Sequence, residues 1–448
     1  CWAIKMNHEC ITFERYQKRL FNAVPIRYTG QVVRVAGLVI ESNGPSVPIG
    51  DLCYVHVSKG HAPVPAEVVG FKENKILLMP IGELDRIGPG TKVTASGSPL
   101  EIRVGMDLLG RVIGGLGEPI DGKVPIKGEE YRSIYNSPPD PLKRDMIKEP
   151  LMTGIRVMDG LFTCGKGQRL GIFAGSGVGK STLMGMIARN SEADVNVIAL
   201  IGERGREVRE FIEKALGPEG LKKSVVVSVT SDKPALLRIK GAYIASTIAE
   251  YFRDHGMQVM LLVDSVTRFA NAQREVGLAI GEPPTSKGYT PSVFALLPKL
   301  LERSGNGSQG SITGLYTVLV DGDDMNEPIA DAVRGILDGH VVLSRALANQ
   351  NHFPAVDILE SVSRCMDDII TFEHRKAAHE LKMVYAKYKE SEDLINIGAY
   401  AKGNNSKIDF AISMIDRIKD YLKQDVTEDS KYEDTVLRLT NMFTKIKD

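Results

Sequence analysis

The residues with the clearest chemistry are Ala174-Gly175-Ser176-Gly177-Val178-Gly179-Lys180-Ser181. Glycines alternate with small residues and the run ends in Lys-Ser, which is a P-loop with Ala in place of the usual first Gly. Glycine lets the backbone turn so that N–H groups point inward at phosphate oxygens. Residues 182–189 read as a helix whose N-terminus adds a positive dipole end. The nucleotide-binding candidates are therefore Gly175, Ser176, Gly177, Val178, Gly179, Lys180, Ser181 and Thr182. Lys180 would hold the β/γ-phosphates and Ser181 Oγ would ligate Mg²⁺. A glycine-rich strand–helix turn without a ligand is the bland alternative, and Lys-Ser in this context speaks against it. Gly114-Gly115-Leu116-Gly117 has no Lys and no clear helix after it, so it reads as a turn.

Such a loop needs a sheet edge to stand on. Residues 170–173, 195–201, 224–229, 259–263, 314–320 and 340–343 are continuous apolar runs, as expected of strands buried on both faces of a parallel sheet. Helical stretches such as 207–216 and 237–255 separate several of them. That alternation is an α/β domain. Asp264 ends the run 259–263 at the strand's C-terminal edge, where α/β sheets bind ligands. Behind a P-loop it is the expected second Mg²⁺ ligand. Glu203 follows the run 195–201 within Gly202-Glu203-Arg204-Gly205-Arg206-Glu207, and falls on the same edge. We assign it as general base. A solvated turn of alternating charge, with Glu207 capping the next helix, is the competing reading.

The chain has 448 residues, 43% apolar and 25% charged, a globular composition that excludes wholesale disorder. Lys+Arg and Asp+Glu are 56 each. That balance argues against a generally basic nucleic-acid binder. No apolar run approaches the roughly 18 residues needed to span a bilayer. The five cysteines, Cys1, Cys10, Cys53, Cys164 and Cys365, contain no Cys-x-x-Cys pair, so neither a zinc site nor a disulfide framework is indicated and a reducing cytosol is expected. The start at Cys1 is expected to be a truncation rather than a processed lipoprotein terminus.

Four segments are expected. Residues 1–25 hold a short helix candidate over 11–21. Residues 26–98 carry short strands at 31–35, 37–40, 51–57, 66–69, 76–80 and 91–95, with turn signals every 8–12 residues, as in a small barrel or sandwich. Residues 99–374 hold the α/β core, entered through a proline-rich extended connector at 131–150. Residues 375–448 are helical; Ile408, Ile412, Ile415, Ile418 and Leu422 lie near one helix face.

The P-loop together with residues 202–207 resembles the catalytic subunits of rotary ATP synthases and their homo-oligomeric relatives. More specific are Gln273 to Pro284, continuing as Thr285-Ser286-Lys287-Gly288-Tyr289-Thr290-Pro291-Ser292-Val293-Phe294. Asp321-Gly322-Asp323-Asp324-Met325-Asn326-Glu327-Pro328 and the stretch 336–345 belong with them. These resemble the type III export ATPases, flagellar and virulence-associated, over residues 27–420. The resemblance implies a RecA-like P-loop NTPase core with an N-terminal β-barrel and a C-terminal helical domain.

It implies Mg²⁺-dependent ATP hydrolysis by a homohexamer, cytoplasmic and peripheral at the inner face of the cell membrane, with no nucleic acid. Partners would be a regulator on the N-terminal segment, a central stalk protein, export-gate membrane proteins, and export substrates with their chaperones. It also assigns residues. Glu203 gains weight as catalytic carboxylate. Arg364, closing Ser361-Val362-Ser363-Arg364, would reach a neighbouring subunit's nucleotide. Phe353, in Phe353-Pro354-Ala355-Val356-Asp357, would stack on adenine, with Tyr400 a second candidate and ordinary core packing the alternative for Phe353. Arg268 and Arg204 would line the site, unless structural. The loop 399–407 lacks the acidic lever of rotary subunits. The 26–30 and 40–52 stretches resemble flagellar members more; virulence secretion, a rotary catalytic subunit and an RNA-translocating ring are the alternatives.

Overall fold

A computed structural model describes residues 28–57, 61–82 and 86–444. The helix expected over 11–21, and the regulator-binding segment with it, lie outside these residues. The chain divides into two compact units, at Pro99/Leu100.

The first unit is a barrel of β1 (Thr29–Ala36), β2 (Val39–Asn43), β3 (Asp51–His56), β4 (Val64–Lys72), β5 (Lys75–Pro80) and β6 (Lys92–Pro99). The order β1-β2-β5-β4-β3-β6 closes on itself, so the barrel-or-sandwich ambiguity resolves to a barrel. Alternate side chains point inward along each strand. Val32, Ile40, Cys53, Val55, Ala66, Val68, Ile76, Leu78 and Val93 fill the interior.

The second unit is built on a sheet of β7 (Arg111–Ile113), β8 (Arg169–Ala174), β9 (Val195–Ile201), β10 (Ser224–Val229), β11 (Gln258–Asp264), β12 (Ser311–Leu319), β13 (Gly339–Leu343) and β14 (Val356–Ser363). The order is β14-β13-β8-β12-β11-β9-β10-β7. All neighbours pair in parallel except β13 and β14, which are antiparallel. β9 and β10 are buried at every position, which is why they read as unbroken apolar runs. The edge strands β7 and β14 carry no such signal: β7 has three residues, and β14 mixes buried with exposed positions. The helix expected at 237–255 is α2 (Ala235–Asp254), and the one at 182–189 is α1 (Lys180–Asn190). The Gly114–Gly117 segment is a turn, with Gly117 N–H donating to the Gly114 carbonyl at 3.1 Å.

The proline-rich connector is mostly extended but firmly held. Fully buried Arg303 donates to the Ile134 carbonyl (2.8 Å) and to both carboxylate oxygens of Glu250 (2.7 Å each). Asn136 Nδ2 reaches the same carboxylate at 2.7 Å. C-terminal helices Phe372–Asn396, Ser406–Leu422 and Tyr432–Thr444 share one apolar core with the sheet: Leu170 and Ile172 belong to the same buried cluster as Leu381, Ile418 and Tyr421. The helical region is thus continuous in packing with the α/β core. On Ser406–Leu422 the expected stripe shifts. Ile412 is 36% exposed, while Ala411 and Met414 are buried with Ile408, Ile415, Ile418 and Leu422. The buried set 408, 411, 415, 418, 422 follows the helical repeat more closely than the all-isoleucine reading.

Candidate active site

The P-loop leaves β8 at Ala174 and enters α1 at Lys180. Gly177 and Gly179 have φ of +79° and +92°, values a β-carbon would strain. No side chain caps α1, so its first N–H groups face the loop and are open to an anion. Ser181 and Thr182 sit exposed in the first turn, and Val178 is buried as the loop's anchor.

Sheet order sets what faces Lys180. Next to β8 lies β12, then β11, then β9. Thr317 within β12, Asp264 ending β11 and Glu203 just past β9 follow in that order. The Lys180 ammonium contacts Asp264 Oδ1 and stands 3.9 Å from Glu203 Oε1. Thr317 Oγ1 donates to Asp264 Oδ1 at 2.7 Å. Lys180, Asp264 and Glu203 are therefore brought together as expected. Thr317 is a site residue the sequence does not signal, because its role depends on β12–β11 register.

Glu203 is mostly buried, and among the described residues its Oε1 has no hydrogen-bond partner. Burial, reinforced by the Asp264 charge, pushes its carboxyl up to about 7; Lys180 pulls the other way. A carboxylate that titrates near neutrality beside a lysine and a second acid suits proton transfer. Arg268 lines this end. A β-carbon built on Gly202 would lie 3.0 Å from Arg268 Cβ, and Gly202 has φ +71°, so two constraints demand glycine beside Glu203. Arg268 Nε is buried without a hydrogen-bond partner among the described residues. Arg204 is not drawn in: its side chain is 75% exposed and pairs with Glu207 at 3.4 Å. The expected lining role for Arg204 gives way to a solvated i,i+3 pair.

Around the Lys180 ammonium stand the Asp264 carboxylate and Glu203 Oε1, and Ser181, next in sequence, is exposed with its hydroxyl available. Among the described residues no cluster of three His, Cys, Asp or Glu could hold a metal. A hard cation bound by one carboxylate, one hydroxyl and phosphate oxygens matches that donor set, as Mg²⁺ does.

Beside α1 lies an apolar cavity of about 210 Å³, lined by Val178, Gly179, Thr182, Leu183, Met186, Leu343, Phe353, Pro354, Ala355, Gln424 and Val426. The Phe353 ring lies 3.5 Å from where a Gly179 β-carbon would stand, and the residue is 39% exposed. An aromatic face open beside a P-loop helix suits base stacking. Gln424 closes the wall: its N–H donates to the Phe353 carbonyl at 3.0 Å, and its side chain accepts from Arg156 N (2.7 Å) and donates to the Gly154 carbonyl (2.8 Å). Gln424 and Val426 stand more than 70 positions after Phe353, and nothing local marks them. Tyr400 is not part of this wall; its hydroxyl binds Asp409 Oδ1 (3.0 Å) and the Asn405 carbonyl (2.9 Å). Phe353→Ala is expected to raise the KM for ATP roughly tenfold with kcat little changed, the loss of one stacking face; steady-state kinetics checks it.

Arg364 lies elsewhere. Ser363 pairs with Gly339, at the start of β13, whereas Ala174 pairs with Leu343 at its end. At about 3.3 Å per residue, that places the Arg364 backbone roughly 16 Å down the sheet from the P-loop. Its N–H donates to the Asp338 carbonyl at 3.0 Å, and the residue is exposed.

The architecture and this site have known counterparts. The ATP synthase alpha/beta family matches at its β-barrel domain over residues 32–97 and at its nucleotide-binding domain over 154–363. The C-terminal domain of the type III secretion ATPase EscN matches residues 370–441. A flagellum-specific ATP synthase of Bacillus subtilis (strain 168) is 59% identical over 92% of this chain and 94% of its own. A type 3 secretion system ATPase of Xanthomonas euvesicatoria is 52% identical over 94% and 95%. The assembled ATPase EscN of enteropathogenic E. coli superposes with a TM-score of 0.88 at 48% identity, covering 92% of this chain and 99% of EscN. EscN in complex with its central stalk EscO gives a TM-score of 0.86 at 47% identity over 92% and 99%. The chain therefore belongs to the ATP synthase alpha/beta family, as one of its type III export ATPases.

Proposed function

We propose that this ATPase energises flagellar protein export as a homohexameric ring whose sites lie between subunits. The flagellar assignment is carried by the 59% identity to the Bacillus flagellum-specific enzyme. A virulence-type role is the second reading, favoured by the 52% identity to the Xanthomonas secretion ATPase.

ATP phosphates would enter the cradle of P-loop N–H groups and draw Lys180 off Asp264. The base would rest on Phe353. Glu203 would accept the proton of the attacking water, and Arg268 would hold that carboxylate's surroundings positive. Ser181 and Asp264 would hold Mg²⁺, which supplies charge neutralisation at the transferring phosphoryl group. Arg364 lies too far down its own sheet to serve its own site, which supports donation to a neighbouring subunit. A lysine-to-phosphate contact is charge-assisted. Lys180→Ala is accordingly expected to weaken nucleotide binding by roughly a hundredfold, measured by titration with a fluorescent ADP. Unchanged binding would remove the P-loop reading.

The ring would work in the cytoplasm, at the inner face of the membrane. No helix among the described residues is long and apolar enough to cross a membrane. A stalk protein would sit in the ring, as EscO does with EscN. Export-gate proteins, export substrates with their chaperones and a regulator on the N-terminal segment complete the proposed set. An in-frame deletion in the source organism, scored by external filaments and intracellular flagellin, tests the assignment. Lost filaments with flagellin retained inside supports flagellar export. Normal filaments would move the enzyme to a virulence-type system.

A further inference from the structure

The outer wall of the P-loop carries an ion pair that the mechanism above does not use. Arg345 Nε donates to Asp323 Oδ2 at 3.1 Å, and Arg345 Nη1 donates to the Ser176 carbonyl at 3.3 Å. The pair is pressed against the loop. A β-carbon on Gly175 would lie 2.5 Å from Asp323 Oδ1 and 2.6 Å from Arg345 Nη2. Both side chains are about half exposed, at 46% and 49%. As a surface ion pair alone it would stabilise the fold little.

Its place suggests a different use. A peptide unit is planar, with its C=O and N–H pointing in opposite directions. The Ser176 carbonyl shares one peptide with the Gly177 N–H. A guanidinium that draws the carbonyl outward therefore aims that N–H inward, toward the phosphate cradle. The two glycines flanking Ser176 make this peptide easy to flip, and a flipped peptide would present an oxygen to the phosphates. Arg345 itself is well supported. It opens the short helix Arg345–Asn349, whose cap Ser344 donates its N–H to the Ala355 carbonyl at 2.8 Å. Asp323, in the turn after β12, holds Arg345 Nε from the other side.

We propose that Arg345, oriented by Asp323, is a positioning residue that locks the Ser176–Gly177 peptide in its phosphate-binding orientation. The inference rests on the ATPase reading and adds a residue to it. Because the effect is on ground-state phosphate binding, it should fall on affinity rather than on the chemical step.

The test is kinetics and ADP binding on Arg345→Ala, Arg345→Lys and Asp323→Asn rings, with thermal midpoints. Arg345→Ala should raise both the KM for ATP and the Kd for ADP roughly tenfold, the scale of one charge-assisted hydrogen bond, with kcat within about twofold. Arg345→Lys keeps the charge but loses the two-armed geometry, and should recover only part of the affinity. Asp323→Asn should fall between wild type and Arg345→Ala. Unchanged KM and Kd in Arg345→Ala would overturn the proposal. So would a fall in kcat that tracks a lowered thermal midpoint, or full rescue by Lys. If the wild-type chain neither binds ADP nor hydrolyses ATP, it is the ATPase reading that fails.

Discussion

Arg364→Ala is expected to fold, assemble and bind ATP normally, yet hydrolyse it roughly 10³–10⁵-fold more slowly. That is about 4–7 kcal/mol of barrier. The size follows from where the charge acts. A guanidinium facing the transferring phosphoryl group works in a site largely closed to water, and its contribution is made mostly in the transition state. Binding should therefore be spared, because the P-loop, Lys180 and Phe353 all belong to the subunit that holds the nucleotide. Arg364 is exposed, and its backbone N–H donates to the Asp338 carbonyl, a bond that alanine keeps, so its loss should leave the thermal midpoint within about a degree or two, as for surface changes generally. Arg364→Lys should not rescue fully, since one ammonium cannot reproduce the planar fork. Normal turnover by Arg364→Ala rings, measured by phosphate release, would remove the trans role.

Glu203→Gln is expected to retain ATP and lower kcat by roughly 10²–10⁴-fold, the range for loss of a general base. The pH dependence gives a second signature. The Glu203 carboxyl is raised to about 7 from an ordinary 4.5. Only the ionised form accepts a proton, so wild-type kcat/KM, which reports the nucleotide-free enzyme, should fall as pH drops through about 7. The stability sign is the opposite. Between the unfolded value and 7 the folded protein binds a proton that the unfolded chain does not, so rising pH across that window costs stability. Glu203→Gln should abolish both effects. A wild-type kcat/KM flat from about pH 6 to 8 would move the base elsewhere.

What the sequence discloses and what it hides have a common physical origin. The P-loop is contiguous, with its glycines, lysine and serine in one loop, so local spacing reveals it. Asp264 and Glu203 are legible because strands buried on both faces are unbroken apolar runs, and the polar residue ending each run marks the sheet edge. Thr317 lies inside such a run and reaches Asp264 only through register between strands. Gln424 and Val426 reach the apolar cavity beside α1 only after the chain has passed through two C-terminal helices. The edge strand that carries Arg364 has neither the apolar run of a central strand nor a clean alternation. Its arginine is legible through family resemblance alone, and β13–β14 register then shows that it lies far from its own P-loop. Ile412 misleads for a simpler reason: isoleucine outranks alanine in any apolar reading, but helix geometry puts Ala411 toward the core.

The central claim, a site completed between subunits, is tested most directly by mixing two inactive variants. Lys180→Ala removes the phosphate lysine from one side of an interface and Arg364→Ala removes the arginine from the other. Each ring alone should be nearly silent. Co-assembled at equal ratio, about one interface in four should carry an intact Lys180 and an intact Arg364 under random mixing. The account predicts recovery of ATPase activity on that scale, dependent on co-assembly rather than on adding preformed rings. Mixed rings that stay as silent as their parents would contradict it.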